Sequence, residues 1–153
     1  MRGVVAVTTH RTLGAAVYVS VTGESDVAWA RQVVRELGAQ QALPEARIAA
    51  LATAVSEIAR NIVVHAGSGE VSFCSIVDGA RRGVFVIARD DGPGIADIAR
   101  AMEDGYSTKG GGLGAGLAGA QRLVDEFHIA SPPGEGVTVT MTQWCDGGEW
   151  DPV

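Results

Sequence analysis

A chain of 153 residues, 46% hydrophobic and 20% charged, is the size of one domain with one core, and its composition excludes a disordered or collagen-like chain. Its formal net charge of -6 leaves no basic footprint for following a nucleic-acid backbone. Cys74 and Cys145 lie far apart without CxxC or Cys/His spacing, which argues against a disulfide framework or a zinc site. There is no signal-like N-terminus and no run of about 18 apolar residues, so a cytoplasmic setting away from membranes is expected.

In chain order, Val4 to Val7 and Ala15 to Val21 read as short strands that pair with each other across the polar stretch Thr8 to Thr12. Ser25 and Asp26 are candidate N-caps of a first helix carrying Val27, Ala30, Val33, Val34 and Leu37, with Gly38 as its terminator. A second helix starts near Pro44, carries Ile48, Leu51, Val55, Ile58 and Ile62 at steps of three and four, and runs to about His65, where Gly67 stops it. Val71 to Val77 and Val84 to Ala88 flank a turn and predict two antiparallel strands at the sheet centre. A short helix from about Ile95 to Met102 precedes the glycine-rich segment Gly105 to Gly116, which cannot form a stable regular element by itself. Leu117, Ala120, Leu123 and Val124 mark a further helix, strands follow near Phe127 to Ala130 and Val137 to Trp144, and Asp146 to Val153 reads as a loose tail. No repeat or linker divides the chain. The order of elements predicts a two-layer α/β sandwich, one mostly antiparallel sheet with helices on one face, over residues 1–145, with 146–153 as the tail.

Three clusters carry chemistry. In Ser56-Glu57-Ile58-Ala59-Arg60-Asn61 the side chains of Glu57 and Asn61 are four apart on a helix and project side by side. A carboxylate there can accept a proton, and an amide oxygen is a hard neutral ligand suited to Mg²⁺; the same pair also suits a solvated helix face. Asp90-Asp91-Gly92-Pro93-Gly94-Ile95 follows an apolar strand and forces a sharp turn poor in Cβ atoms. Its glycines let a planar ligand approach the backbone, and Asp90 can accept a hydrogen bond from an exocyclic amine such as adenine N6, although an ordinary turn has the same composition. Ser107-Thr108-Lys109-Gly110-Gly111-Gly112-Leu113-Gly114-Ala115-Gly116-Leu117 delivers backbone N–H groups to a helix N-terminus, which attracts phosphate, where a plain flexible linker is the other reading. The string Gly114 to Gly119 satisfies GxGxxG without a preceding strand, and no GxxxxGK[ST] pattern surrounds Lys109, so neither a dinucleotide fold nor a Walker loop is indicated.

Taken together, the clusters resemble the N, G1 and G2 boxes of the GHKL (Bergerat-fold) ATPase superfamily, in order, over residues 57–117. The wider strings SEIARNIVVHAG from Ser56 and GLAGAQRLVDEFHIAS from Gly116 resemble more particularly the RsbT-type serine kinases of bacterial partner-switching and stressosome systems. The resemblance covers nearly all of the chain except the tail, and implies a Bergerat-type sandwich that binds ATP and Mg²⁺. By it, Glu57 is the catalytic base, Asn61 the Mg²⁺ ligand, Asp90 the adenine contact, and Gly92, Gly94 and Ile95 the wall of the adenine pocket. Thr108 and Lys109 would stand at the phosphates, which the lid glycines Gly112, Gly114 and Gly116 would hold, with Leu113, Ala115 and Leu117 also in the nucleotide site. The family commonly has Thr directly after the final glycine of the last turn; here Val137 follows Gly136, so Thr138 is the candidate for the pocket, one residue late on a strand where such a shift reverses the facing side.

The implied activity is transfer of the ATP γ-phosphate to a serine or threonine of a STAS-domain antagonist protein, with activation of a PP2C-type phosphatase as a further output. The competing reading is an ATP-dependent sequestering module of the anti-sigma-factor kind, which binds a sigma factor and turns over little. A sensor histidine kinase is disfavoured because 153 residues leave no room for a dimerisation helix with its own phosphoacceptor, and gyrase-type ATPases are larger. Outside the boxes, His65 reads as a helix C-terminal residue near the final carbonyls, Arg60 as a neighbour of Glu57 or a phosphate or partner contact, and Trp144 and Trp150 as packing residues near the sheet edge.

Overall fold

The computed structural model describes residues 11–95, 102 and 116–146. The strand expected at Val4 to Val7, most of the short helix after Ile95, the glycine-rich segment up to Ala115 and the tail beyond Asp146 lie outside the described residues. Within them the chain runs β1 (Arg11–Leu13), β2 (Val17–Val21), α1 (Glu24–Gln40), α2 (Glu45–His65), β3 (Gly69–Asp78), β4 (Arg81–Asp90), α3 (Gly116–Leu123), β5 (Glu126–Ala130) and β6 (Val137–Trp144).

The strands form one six-stranded sheet in the order β1-β3-β4-β6-β5, with β2 also on β3, and every pairing is antiparallel. As predicted, β3 and β4 are its long central hairpin, joined in register from Gly69↔Asp90 to Asp78↔Arg81. The edge differs from the expectation. Arg11 and Thr12, which fall in the polar stretch Thr8 to Thr12, form with Leu13 a strand that pairs with β3 at Ile76–Asp78 while β2 pairs with the other half of β3 at Gly69–Phe73. Between them the Gly14 N–H donates to Ser75 O at 3.0 Å, so β1 and β2 form one interrupted edge. Polar Arg11 is fixed there by its guanidinium, 3.1 Å from Asp78 and 2.9 Å from Glu126, a tie that apolar alternation cannot reveal.

On one face of the sheet, Val19, Val21, Val71, Phe73, Val86, Ala88, Val139 and Met141 meet the apolar stripe of α2, and burying each of the side chains larger than that of Ala88 contributes about 1.5–3 kcal/mol. α2 lies between α1 and α3. It is long and apolar enough by composition to cross a bilayer, but Leu51, Ala54, Val55 and Ala59 are buried in the core of this sandwich. α1 departs from the caps expected of it. Gly23 is the N-cap, Asp26 sits inside the first turn accepting bonds from Thr22 N (2.8 Å) and Oγ1 (3.0 Å), and the helix continues through Gly38 to Gln40. Gly38 is buried against Ile48, whose Cγ1 would stand 3.0 Å from a β-carbon there, so packing between α1 and α2 explains the glycine.

Two polar ties set the position of α3 and the far face of the sheet. Buried Gln143 accepts from Asp125 N (2.9 Å) and donates to Leu123 O (3.2 Å) and Arg47 O (3.3 Å), joining the end of α3, the start of α2 and β6. On the face away from the helices, Trp144 is fully buried: the guanidinium carbons of Arg81 and Arg11 stand 4.0 and 5.3 Å from its ring centroid and its Nε1 donates to Glu126 at 3.0 Å.

Candidate functional site

The SEIARNI string folds as the middle of α2 because its apolar members, Ile58 and Ile62, continue the buried stripe, while Glu57 and Asn61 remain half-buried at its border. Their spacing of four places them on one flank of the helix. Arg60 stands on the same border, with Nη1 4.0 Å from Glu57 Oε2 and Nη2 3.1 Å from Glu24 Oε2 at the start of α1. His65 occupies the last turn of α2.

Asp90 ends β4 and turns the chain. Its Oδ1 accepts the Gly92 N–H at 2.8 Å, which fixes the carboxylate at the lip of the sheet. Position 92 requires glycine, because a β-carbon would come 2.6 Å from Ala66 Cβ at the end of α2. The segment is held at Ile95 by Ser131, whose Oγ accepts from Ile95 N at 2.8 Å and donates to Gly136 O at 2.7 Å. Gly136 takes φ +73°, a left-handed conformation, and any side chain on it would run into the backbone of Asp90.

These pieces border a narrow cleft, open to solvent, between α2, α3 and the sheet. Its walls are Ile58, Ile62, Ala88, Leu117, Val137 and Val139, and its two polar side chains are Asn61 and Asp90. An apolar slot with a carboxylate at one place and an amide at another suits a flat heterocycle bearing an amine and a more polar extension. Gly116, at the start of α3, closes on Asn61: a β-carbon there would lie 3.6 Å from Asn61 Oδ1, so the end of the glycine-rich segment reaches the amide. The donor set fits Mg·ATP, since a neutral amide oxygen suits an ion that keeps waters and phosphate oxygens in its shell, and the helix N-terminus beside it suits phosphate.

Thus Asn61, Asp90 and Leu117 line one cleft, Gly116 abuts Asn61, Gly92 is bonded to Asp90, and Glu57 lies one helical turn before Asn61 on α2. Ile95 packs against the core and contributes its backbone N–H to Ser131. Thr108, Lys109, Gly112, Leu113, Gly114 and Ala115 lie outside the described residues. Thr138 is a correction. It pairs with Arg89, whereas Val137 and Val139, which line the cleft, pair with Asp90 and Ala88, so Thr138 points to the opposite face of the sheet. Sequence reasoning missed Ser131, a lone serine after a strand, and the valines to either side of Thr138, whose facing depends on the β4–β6 register.

Residues 21–143 match the family described as a histidine kinase-like ATPase domain. The chain is 43% identical over 126 residues to the serine/threonine-protein kinase RsbT of Bacillus subtilis (strain 168), covering 82% of this chain and 94% of that protein. It is 33% identical over 121 residues to an anti-sigma F factor of Thermoanaerobacter sp. (strain X514), covering 76% and 83% of the two chains. Among solved structures, the crystal structure of the RsbU and RsbW domains of a Mycobacterium tuberculosis protein is similar with a TM-score of 0.56 at 21% identity. That likeness covers 85% of this chain and 32% of the other, and is one of fold.

Proposed function

Since the chain belongs to the histidine kinase-like ATPase domain family, on its RsbT-like serine/threonine-kinase branch, we propose that it transfers the γ-phosphate of Mg·ATP to a serine or threonine of a STAS-domain antagonist protein. The observation that carries this reading is the placement of Asn61 and Asp90 in one apolar cleft with Glu57 a helical turn beyond the amide.

In this reading Asp90 accepts the adenine amine while Val137, Val139 and Ile62 hold the ring and exclude water. Asn61 is the Mg²⁺ ligand, and the ion neutralises charge on the triphosphate when bound. Glu57 accepts the proton of the partner's hydroxyl as the hydroxyl oxygen attacks the γ-phosphorus and the bond from that phosphorus to the β,γ-bridging oxygen breaks, releasing ADP, while the backbone N–H groups at the start of α3 hold phosphate oxygens. Thr108 and Lys109 add contacts to the phosphates. The kinase acts in the cytoplasm in a partner-switching circuit, and its free form activates a PP2C-type phosphatase.

Kinship with an anti-sigma F factor favours one second reading, a module in which nucleotide controls docking on a sigma factor. Titration calorimetry tests what both share: Asp90→Asn weakens nucleotide binding with or without the metal, Asn61→Ala removes the Mg²⁺-dependent part, and absence of ATP heat at millimolar Mg·ATP in folded wild type contradicts both. Copurification of the partner separates them: the kinase phosphorylates it, and the docking module binds it unmodified.

A further inference from the structure

Ser131 stands outside the N, G1 and G2 boxes, yet three chain segments meet at its hydroxyl. Its Oγ accepts the Ile95 N–H at 2.8 Å and donates to Gly136 O at 2.7 Å, using both capacities of one hydroxyl. Ile95 is the last described residue of the segment that follows Asp90, and Gly136 leads into Val137, the register partner of Asp90 and a wall of the cleft. At its near end the same loop is tied by Gly92 N to Asp90 Oδ1 at 2.8 Å. The carboxylate therefore stands on the last residue of β4, paired with Gly69 and Val137, where a segment tied to Asp90 Oδ1 at Gly92 and to Ser131 at Ile95 leaves the sheet. Gly94 also abuts this hydroxyl, which would lie 2.9 Å from a β-carbon at that position, so the loop is seated against Ser131 by contact as well as by hydrogen bond.

We propose that Ser131 is a positioning residue that sets base selectivity, holding the Asp90 loop so that the carboxylate meets an amine of the purine and rejects a carbonyl. The proposal rests on the ATP-binding reading above. Adenine presents an amine at C6, which donates to a carboxylate; guanine presents an oxygen there, which repels it. That discrimination needs the carboxylate fixed: when the loop shifts by an ångström, water enters between the groups and the distinction between donor and acceptor fades. Ser131 is not among the residues that line the cleft, so its effect appears in the ratio of affinities.

The test is calorimetry of Mg·ATP and Mg·GTP on the wild-type chain, Ser131→Ala, Ser131→Cys and Ser131→Thr. Loss of a bond to this part-buried amide corresponds to about a tenfold change in affinity. Ser131→Ala is expected to lower the ATP-over-GTP preference about tenfold, mainly through ATP, while Ser131→Thr, which keeps the hydroxyl, retains the wild-type ratio. Ser131→Cys keeps the shape and weakens both bonds, and it reports in the same sense should the alanine variant not fold. A preference unchanged in the folded alanine or cysteine variant, or equal weakening of ATP and GTP, overturns the proposal and leaves Ser131 a purely structural tie. Wild type that binds neither nucleotide instead defeats the ATP reading on which the proposal stands.

Discussion

The guanidinium of Arg60 is shared between two carboxylates, 3.1 Å from Glu24 Oε2 and 4.0 Å from Glu57 Oε2. The shorter contact crosses from α2 to the first turn of α1, and Glu24 is 68% exposed, so the pair adds little to stability; exposed ion pairs contribute about 0–1 kcal/mol. The longer contact is the informative one, because it flanks the carboxylate proposed as base. Arg60→Ala is therefore expected to shift the urea midpoint by less than about 1 kcal/mol of stability, leave the Mg·ATP Kd unchanged, and lower phosphoryl transfer about tenfold through looser placement of Glu57. Urea titration, calorimetry and single-turnover transfer read the three quantities separately.

The register of β4 with β6 makes a second prediction. Ala88 and Val139 are paired and line the cleft, whereas Thr138 pairs with Arg89 on the other face. Ala88→Leu places a larger side chain in the cleft and is expected to weaken Mg·ATP at least tenfold, while Thr138→Val leaves affinity within about twofold. Calorimetry on the two folded variants decides the facing side, and a large loss from Thr138→Val alone would reverse the assignment.

Acid stability depends on Glu126. Burial pushes its carboxyl up, but hydrogen bonds from Arg11 and Trp144 and the charges of Arg11 and Arg81 more than offset this, leaving it below the ordinary 4.5. A carboxyl depressed in the folded state contributes stability that is present above the ordinary value and lost as pH falls through the folded one. Glu126→Gln is thus expected to be slightly less stable at neutral pH, by about 0.5–1 kcal/mol at this partly exposed site, and to lose less stability than wild type as the pH falls to about 3. Urea unfolding followed by tryptophan fluorescence at a series of pH values checks the slope.

How far the sequence reaches is visible in these residues. The helix carrying Glu57 and Asn61 was legible because Ile48, Leu51, Val55, Ile58 and Ile62 keep a strict helical period, and the β3–β4 hairpin because apolar runs flank a glycine turn. Asp90 was singled out because its carboxylate follows an apolar strand, which sets the string with Gly92 and Gly94 apart from an ordinary turn of the same composition. The strand Arg11–Leu13 was not, since a long-range ion pair to Asp78 and Glu126 fixes it in place of local alternation. Gly38 was misread as a helix end because its neighbour is Ile48 in the next helix, a contact that propensity does not encode. Thr138 turned away from the cleft because the facing of β6 is set by its pairing with β4, and Ser131 went unseen because its two bonds join backbone atoms distant in sequence.

The central claim, that Glu57 is the base of a protein kinase, is tested most directly by Glu57→Gln. The amide keeps the shape of the side chain at the border of α2 but cannot take a hydroxyl proton. Wild type and variant are each mixed with Mg·ATP and the copurified partner, and phosphate on serine or threonine is followed by mass spectrometry beside a calorimetric Kd for Mg·ATP. The account predicts an unchanged Kd with transfer slowed about 10²–10⁴-fold. Transfer by Glu57→Gln at the wild-type rate contradicts the assignment of the base, and a partner that wild type binds in a nucleotide-dependent way without phosphorylating it contradicts the kinase.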